Sequence, residues 1–155
     1  MNQMIFDKAK VAFVRGHYQE AIEAFGELIE AEPENAMAYY SRGTALFNIK
    51  NYEGAIADYN KAIELNPKNE KVFCSRGTAY LAMEKGQAAM DDFNQSIELN
   101  ETYPTAYFGR AEVFTRMGET EQARADIETG TKLQQARGQS LLEGQGILFQ
   151  DPSST

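Results

Sequence analysis

The chain has 155 residues, 43% of them hydrophobic, with a single cysteine and a formal net charge of −8. That is enough apolar material for one domain core, and a lone Cys74 excludes an internal disulfide. The acidic balance opposes phosphate backbones and anionic lipid, and no apolar run approaches the ~18 residues of a membrane span. The expectation is a soluble cytoplasmic protein whose partners include neither nucleic acid nor membrane.

In chain order, the apolar spacing predicts helices in pairs. In residues 2–35, Ile5 and Ala9 fall in a first helix, Gly16 in a turn, and Ala21 and Phe25 in a second helix that Pro33 stops. Asn35 then stands as the N-cap of the next helix. In residues 36–69, Tyr39, Gly43, Leu46 and Phe47 share one face, Asn51 marks the turn, and Ala55, Ile56, Tyr59, Ala62 and Ile63 share the face that follows. Pro67 and Asn69 repeat the stop and the cap. Residues 70–103 place Phe73 and Gly77, a turn at Gly86, then Ala89 and Phe93; residues 104–137 place Tyr107 and Ala111, a turn at Gly118, then Ala123 and Ile127. After Ala136, Gly138, Gly144 and Gly146 are expected to interrupt any long helix. Leu141 and Leu142 are expected to cover the last pair as a partial cap. Ile147, Leu148 and Phe149 form an apolar extension in the tail, 138–155.

The pairs are one unit repeated. Ser-Arg-Gly-Thr-Ala at 41–45 recurs at 75–79, 34 residues on. Ala21, Ala55, Ala89 and Ala123 obey the same interval, as do Phe25, Tyr59, Phe93 and Ile127, and Ile5, Tyr39, Phe73 and Tyr107. Ala9, Gly43, Gly77 and Ala111 form a column that is always small, as two closely crossing helices require. Gly43 and Gly77 are expected to face Ala55 and Ala89 of their own units. One helix pair cannot bury its apolar face alone, so neighbouring units must stack. The Arg42, Arg76 and Arg110 column is expected to lay its stems along the interfaces and pair its heads with neighbouring acids.

Tyr39, Gly43, Leu46, Tyr52, Ala55, Tyr59, Ala62 and Pro67 of the second unit, with Phe73, Gly77, Tyr80, Ala89 and Phe93 of the third, resemble the tetratricopeptide repeat. The resemblance spans 2–137. Leu28, Glu101 and the Gly130-Thr131 pair depart from the pattern. It implies an all-α, right-handed superhelical solenoid of antiparallel helix pairs whose first helices line a concave groove for a peptide. Carried over by position, the groove comprises Phe6, Phe13, Met37, Tyr40, Thr44, Phe47, Asn48, Lys71, Cys74, Thr78, Leu81 and Phe108, with Lys10, Ser41, Ser75 and Glu112 beside them. The family's carboxylate clamp for chaperone tails maps to Phe6, Lys10, Ser41, Lys71 and Ser75, where only Lys71 matches, so chaperone-tail capture is not expected.

A catalytic reading finds little to build on. His17, the single histidine, lies in a turn of the first unit, remote from Cys74 in the third. Asp91-Asp92 lacks the spaced ligands of a calcium loop, and no phosphate-cradling glycine motif or Cys/His cluster is present. The reading is a non-enzymatic adaptor for a protein or peptide, without cofactor or metal. The alternative is a self-assembling scaffold that forms homo-oligomers through the apolar tail or the end units.

Overall fold

The computed structural model describes residues 2–144. Eight helices follow one another: α1 (Asn2–Val14), α2 (Tyr18–Ala31), α3 (Ala36–Asn48), α4 (Tyr52–Leu65), α5 (Glu70–Ala82), α6 (Gly86–Leu99), α7 (Pro104–Met117) and α8 (Thr120–Gly144). Each packs on its neighbour in sequence, and α5 also touches both α3 and α7. The odd helices therefore lie on the inner side of the curve. The array is an all-α solenoid of antiparallel helix pairs.

Local chemistry sets the helix ends. Asn35 Oδ1 accepts from the Ala38 N–H at 3.0 Å, and Asn69 Oδ1 accepts from the Lys71 N–H at 3.1 Å, capping α3 and α5 as their positions predict. The turns within pairs differ from expectation. Gly16 and Gly118 take positive φ, but in the middle units the same column is filled by Lys50 (φ 64°) and Glu84 (φ 60°), not by Asn51 or Gly86. Asn51 instead caps α4, accepting from the Gly54 N–H at 3.0 Å, and Gly86 opens α6. Side-chain-bearing residues thus hold a left-handed conformation that favours glycine.

The close approaches hold, with a ring as the nearest partner. A Cβ on Gly43 would lie 2.9 Å from the Tyr59 ring and 3.2 Å from the Ala55 carbonyl; on Gly77 its nearest neighbours would be Phe93 at 3.0 Å and Asp92 at 3.2 Å. The ring, reaching across from the second helix of the pair, is what demands the small residue. Phe25, Tyr59 and Phe93 are 0–1% exposed and anchor three successive core clusters. Each such ring contributes about 1.5–3 kcal/mol by burial.

The arginine column closes the pairs. Arg42, Arg76 and Arg110 each donate through Nε and Nη2 to both oxygens of Asp58, Asp92 and Asp126, at 2.7–2.8 Å. Those aspartates are buried. The carboxylate beside each guanidinium raises its pKa further. The heads also lie over Tyr39, over Phe73 and Tyr80, and over Tyr107 and Phe114. Two of them cross to the preceding pair: Arg76 Nη1 donates to Asn60 Oδ1 at 2.6 Å and Arg110 Nη1 to Asn94 Oδ1 at 2.8 Å. The first pair has Lys8 and Ala24 in these columns and makes no such bridge.

The end of the array departs from expectation. α8 runs unbroken through Gly138 to Gly144. One internal glycine costs a helix about 1 kcal/mol, and Gln134, Gln135, Ala136, Arg137 and Gln139 around it are ordinary helix residues without the Pro and Asn that end α2 and α4. Leu141 is 57% exposed on this extension, and the side chain of Leu142 lies outside the described residues. Ile147, Leu148 and Phe149 lie outside the described residues.

Candidate functional site: the concave face

The inner side presents two adjoining cavities. The first, about 280 Å³, lies between α1 and α3 and is lined by Lys10, Phe13, Val14, Phe25, Tyr40, Ser41 and Thr44. The second, about 270 Å³, continues towards α5 and is lined by Thr44, Phe47, Asn48, Tyr59, Ser75 and Thr78. Thr44 belongs to both, so they form one groove across three pairs. Its floor is the core itself, because Phe25 and Tyr59 reach the inner surface with one edge.

The polar rim is ordered by short-range bonds. Thr44 Oγ1 donates to the Tyr40 carbonyl at 2.9 Å, and the lone pairs of the same Oγ1 accept from Tyr59 Oη at 3.5 Å. Tyr40 Oη and Ser75 Oγ are 3.4 Å apart, joining α3 to α5. The Tyr40 and Tyr59 rings sit 6.0 Å apart, tilted by 41°. Burial pushes the Tyr59 phenol up to about 12, so it stays neutral. Asn48 Nδ2 donates to the Thr44 carbonyl at 2.8 Å, which turns its side-chain oxygen outward as an acceptor. Lys10, at the other end, places Nζ 5.5 Å from the Phe6 ring centroid. The groove offers apolar depressions, hydroxyls, one amide and one cation: a surface for holding a chain, with no nucleophile beside a base.

The expected lining is distributed unevenly over this surface. Phe13, Tyr40, Thr44, Phe47, Asn48 and Thr78 come together in the two cavities. Phe6 and Met37 border a separate depression with Asn2, Gln3, Leu28, Glu32 and Asn35. Lys71 lines another, beside Tyr103, Leu133 and Arg137. Phe108 is half-buried with its ring against Gly130, where a Cβ would stand 2.9 Å away, so it fills space between α7 and α8. Cys74 and Leu81 are corrections. Both are buried in one core cluster with Phe93 and Val113 and present almost no surface to a ligand. Cys74 shares its column with Tyr40 and Phe108 but is too short to leave the core; Leu81 lies where Arg116 crosses from α7 to donate to its carbonyl at 3.1 Å.

Three lining residues lie outside the expected set. Phe25 and Tyr59 read as core, and only their edges reach the groove. Val14, 83% exposed at the end of α1, stands one repeat before Asn48, so the column of that expected groove residue already marked its position. Burial pushes the Cys74 thiol up to about 12, which makes it a poor nucleophile. His17 is exposed beside Glu20 in its turn. Among the described residues no group of three or more His, Cys, Asp or Glu side chains is placed to hold a metal ion. None of their helices is long and apolar enough to cross a membrane.

Comparison with curated proteins returns no match. Among solved structures, MamA superimposes with a TM-score of 0.81 at 20% identity, covering 89% of this chain and 81% of that one. The first tetratricopeptide domain of human RPAP3 gives 0.73 at 27% identity, covering 78% and 95%. The first such domain of Spaghetti (RPAP3), bound to the HSP90 peptide SRMEEVD, gives 0.73 at 26% identity, covering 76% and 93%. Family models described as tetratricopeptide repeat match residues 6–70 and 70–103. With the 34-residue columns and the stacked helix pairs, these matches establish that the chain belongs to the tetratricopeptide-repeat family.

Proposed function

We propose that this chain is a non-catalytic interaction module that holds a peptide segment of a partner protein in the groove of α1, α3 and α5. The carrying observation is the pair of cavities joined at Thr44. An apolar side chain of the ligand enters between Phe13 and Tyr40, and Asn48 receives a backbone N–H further along. The RPAP3 domain with its bound peptide supports the mode of use. The ligand is a different one: the clamp positions Phe6, Lys10, Ser41 and Ser75 leave Lys71 as the one match, so an acidic tail lacks its hooks. Thr78 and Phe47 border the path, Met37 lines the separate depression beside Phe6, and Lys71 and Phe108 lie towards the far end of the array.

We assign residues 2–137 to four repeats and 138–155 to a tail. The buried, unpaired Cys74 thiol fits a reducing compartment such as the cytoplasm. The test is selection of linear peptides on the wild-type chain, followed by titration of each recovered peptide against Phe13→Ala and Tyr40→Ala, with SRMEEVD as the comparison ligand. The groove reading expects peptides with an apolar anchor, weakened at least about tenfold in both variants at unchanged fold, and no saturable binding of SRMEEVD. Equal affinity for wild type and both variants would refute it.

A further inference from the structure

The three junctions between pairs share one cross-section, and the two outer faces of the array are its two halves. At every junction the following helix contributes two buried apolar residues: Ala38 and Ala45, Val72 and Ala79, Ala106 and Val113, all 0–1% exposed. The preceding helix contributes Phe25, Tyr59 or Phe93, equally buried. On α1 the corresponding positions are Met4, 71% exposed, and Val11, 49% exposed; on α8 the corresponding position is Ile127, 49% exposed. Apolar side chains thus stand in the open at the columns that are dry elsewhere.

The polar part of the cross-section is complementary as well. At the second and third junctions a cation of the following helix, Arg76 or Arg110, donates to an acceptor of the preceding one, Asn60 or Asn94. On the outer faces the same two columns hold Lys8 on α1 and Glu128 on α8. One face offers the cation, the other a carboxylate in the acceptor's place. Both are exposed, and Glu128 accepts from Lys132 Nζ on its own helix at 2.7 Å.

We propose that α1 of one molecule docks on residues 120–133 of α8 in a second copy, continuing the array head to tail with Lys8 opposite the second copy's Glu128. This surface is distinct from the concave groove and the inference does not depend on that reading. The contact joins two different faces, so it does not close on itself and generates open chains of molecules. Arg124 and Thr131 stand where Ile22, Ile56 and Met90, and Ile29, Ile63 and Ile97, stand in the internal pairs. That makes the contact more polar than an internal junction, and the association reversible.

Sedimentation equilibrium on the full chain, over a concentration series at low and high salt, tests this. The expected result is a weight-average mass that climbs with concentration without stopping at a dimer and falls with added salt. Lys8→Glu and Glu128→Lys should each weaken association about tenfold or more, with unchanged melting, and the double reversal should restore it. A chain ending at Gly144 should associate like the full one. A wild-type chain at monomer mass throughout would overturn the proposal. So would single reversals without effect, a double reversal no better than the singles, or loss of association on removing 145–155.

Discussion

The same substitution, glycine to alanine inside a helix, should have opposite signs at Gly26 and Gly109. Alanine gains roughly 0.5–1 kcal/mol over glycine in a helix interior by limiting the unfolded chain. On Gly26 in α2 the new methyl meets only Arg42 Nη1, at 3.8 Å, an ordinary contact, so most of that gain should appear as stability. On Gly109 in α7 it would stand 2.3 Å from Cε1 and 2.5 Å from Cζ of Phe93. Restoring ordinary contact requires the ring to withdraw by about 1 Å, and Phe93 is 0% exposed in a packed junction. With contacts this short the cost falls in the upper half of the roughly 1–3 kcal/mol typical of overpacking, about 2–3 kcal/mol, which outweighs the helix gain and leaves a net loss of about 1–2.5 kcal/mol. Thermal unfolding by circular dichroism reads both, at roughly 2–4 °C per kcal/mol for a chain of this size. Urea titration of Gly109→Ala should also show a lower slope, because α7 and α8 uncouple from the array first. Phe93→Leu combined with Gly109→Ala should recover part of the loss in a double-mutant cycle. If Gly109→Ala stabilises as Gly26→Ala does, the close approach of helix to ring is not what holds the junction.

Lys50→Gly and Glu84→Gly should each raise stability, by about 1 kcal/mol, since both residues hold positive φ at solvent-exposed turns; a drop in melting temperature would show that their side chains matter more than backbone strain. Asp92→Ala should cost about 2–3 kcal/mol in urea unfolding, less than the 3–5 of a fully buried pair because Arg76 keeps 20% of its side chain in solvent. Glu64→Ala, which breaks an exposed pair with Lys61, should change stability by less than about 0.5 kcal/mol and sets the baseline. Cys74 should react with iodoacetamide at pH 8 roughly a thousandfold more slowly in the native chain than in urea, because burial moves the thiol from its ordinary 9.0 to about 12. Equal rates would place the thiol at the surface.

The architecture was legible because packing repeats faithfully. Small residues at Ala9, Gly43, Gly77 and Ala111 and rings at Phe25, Tyr59 and Phe93 answer one geometric demand, so the interval reveals the helix pairs before any coordinate does. The arginine column was legible for the same reason, since the acid sixteen residues on recurs with it as Asp58, Asp92 and Asp126. Turn geometry was not, because the left-handed position falls on a column occupied by Lys50 and Glu84, which composition does not mark. The course of α8 was hidden by Gly138, whose modest local cost a continuous helix absorbs. Within the groove, column membership placed Cys74 with Tyr40 and Phe108, but a column specifies direction and not length. A short thiol ends in the core where a phenol reaches the surface. Phe25 and Tyr59 show the converse, core rings whose edges become the floor of a binding surface.

Amide chemical-shift mapping with a selected peptide asks where on the array a ligand sits. The groove account predicts that titration moves the signals of Phe13, Tyr40, Thr44, Phe47 and Asn48 together, with one saturation curve, and leaves α2, α4 and α6 outside the cavities in place. Shifts confined to the even helices, or unchanged by Tyr40→Ala, would contradict it.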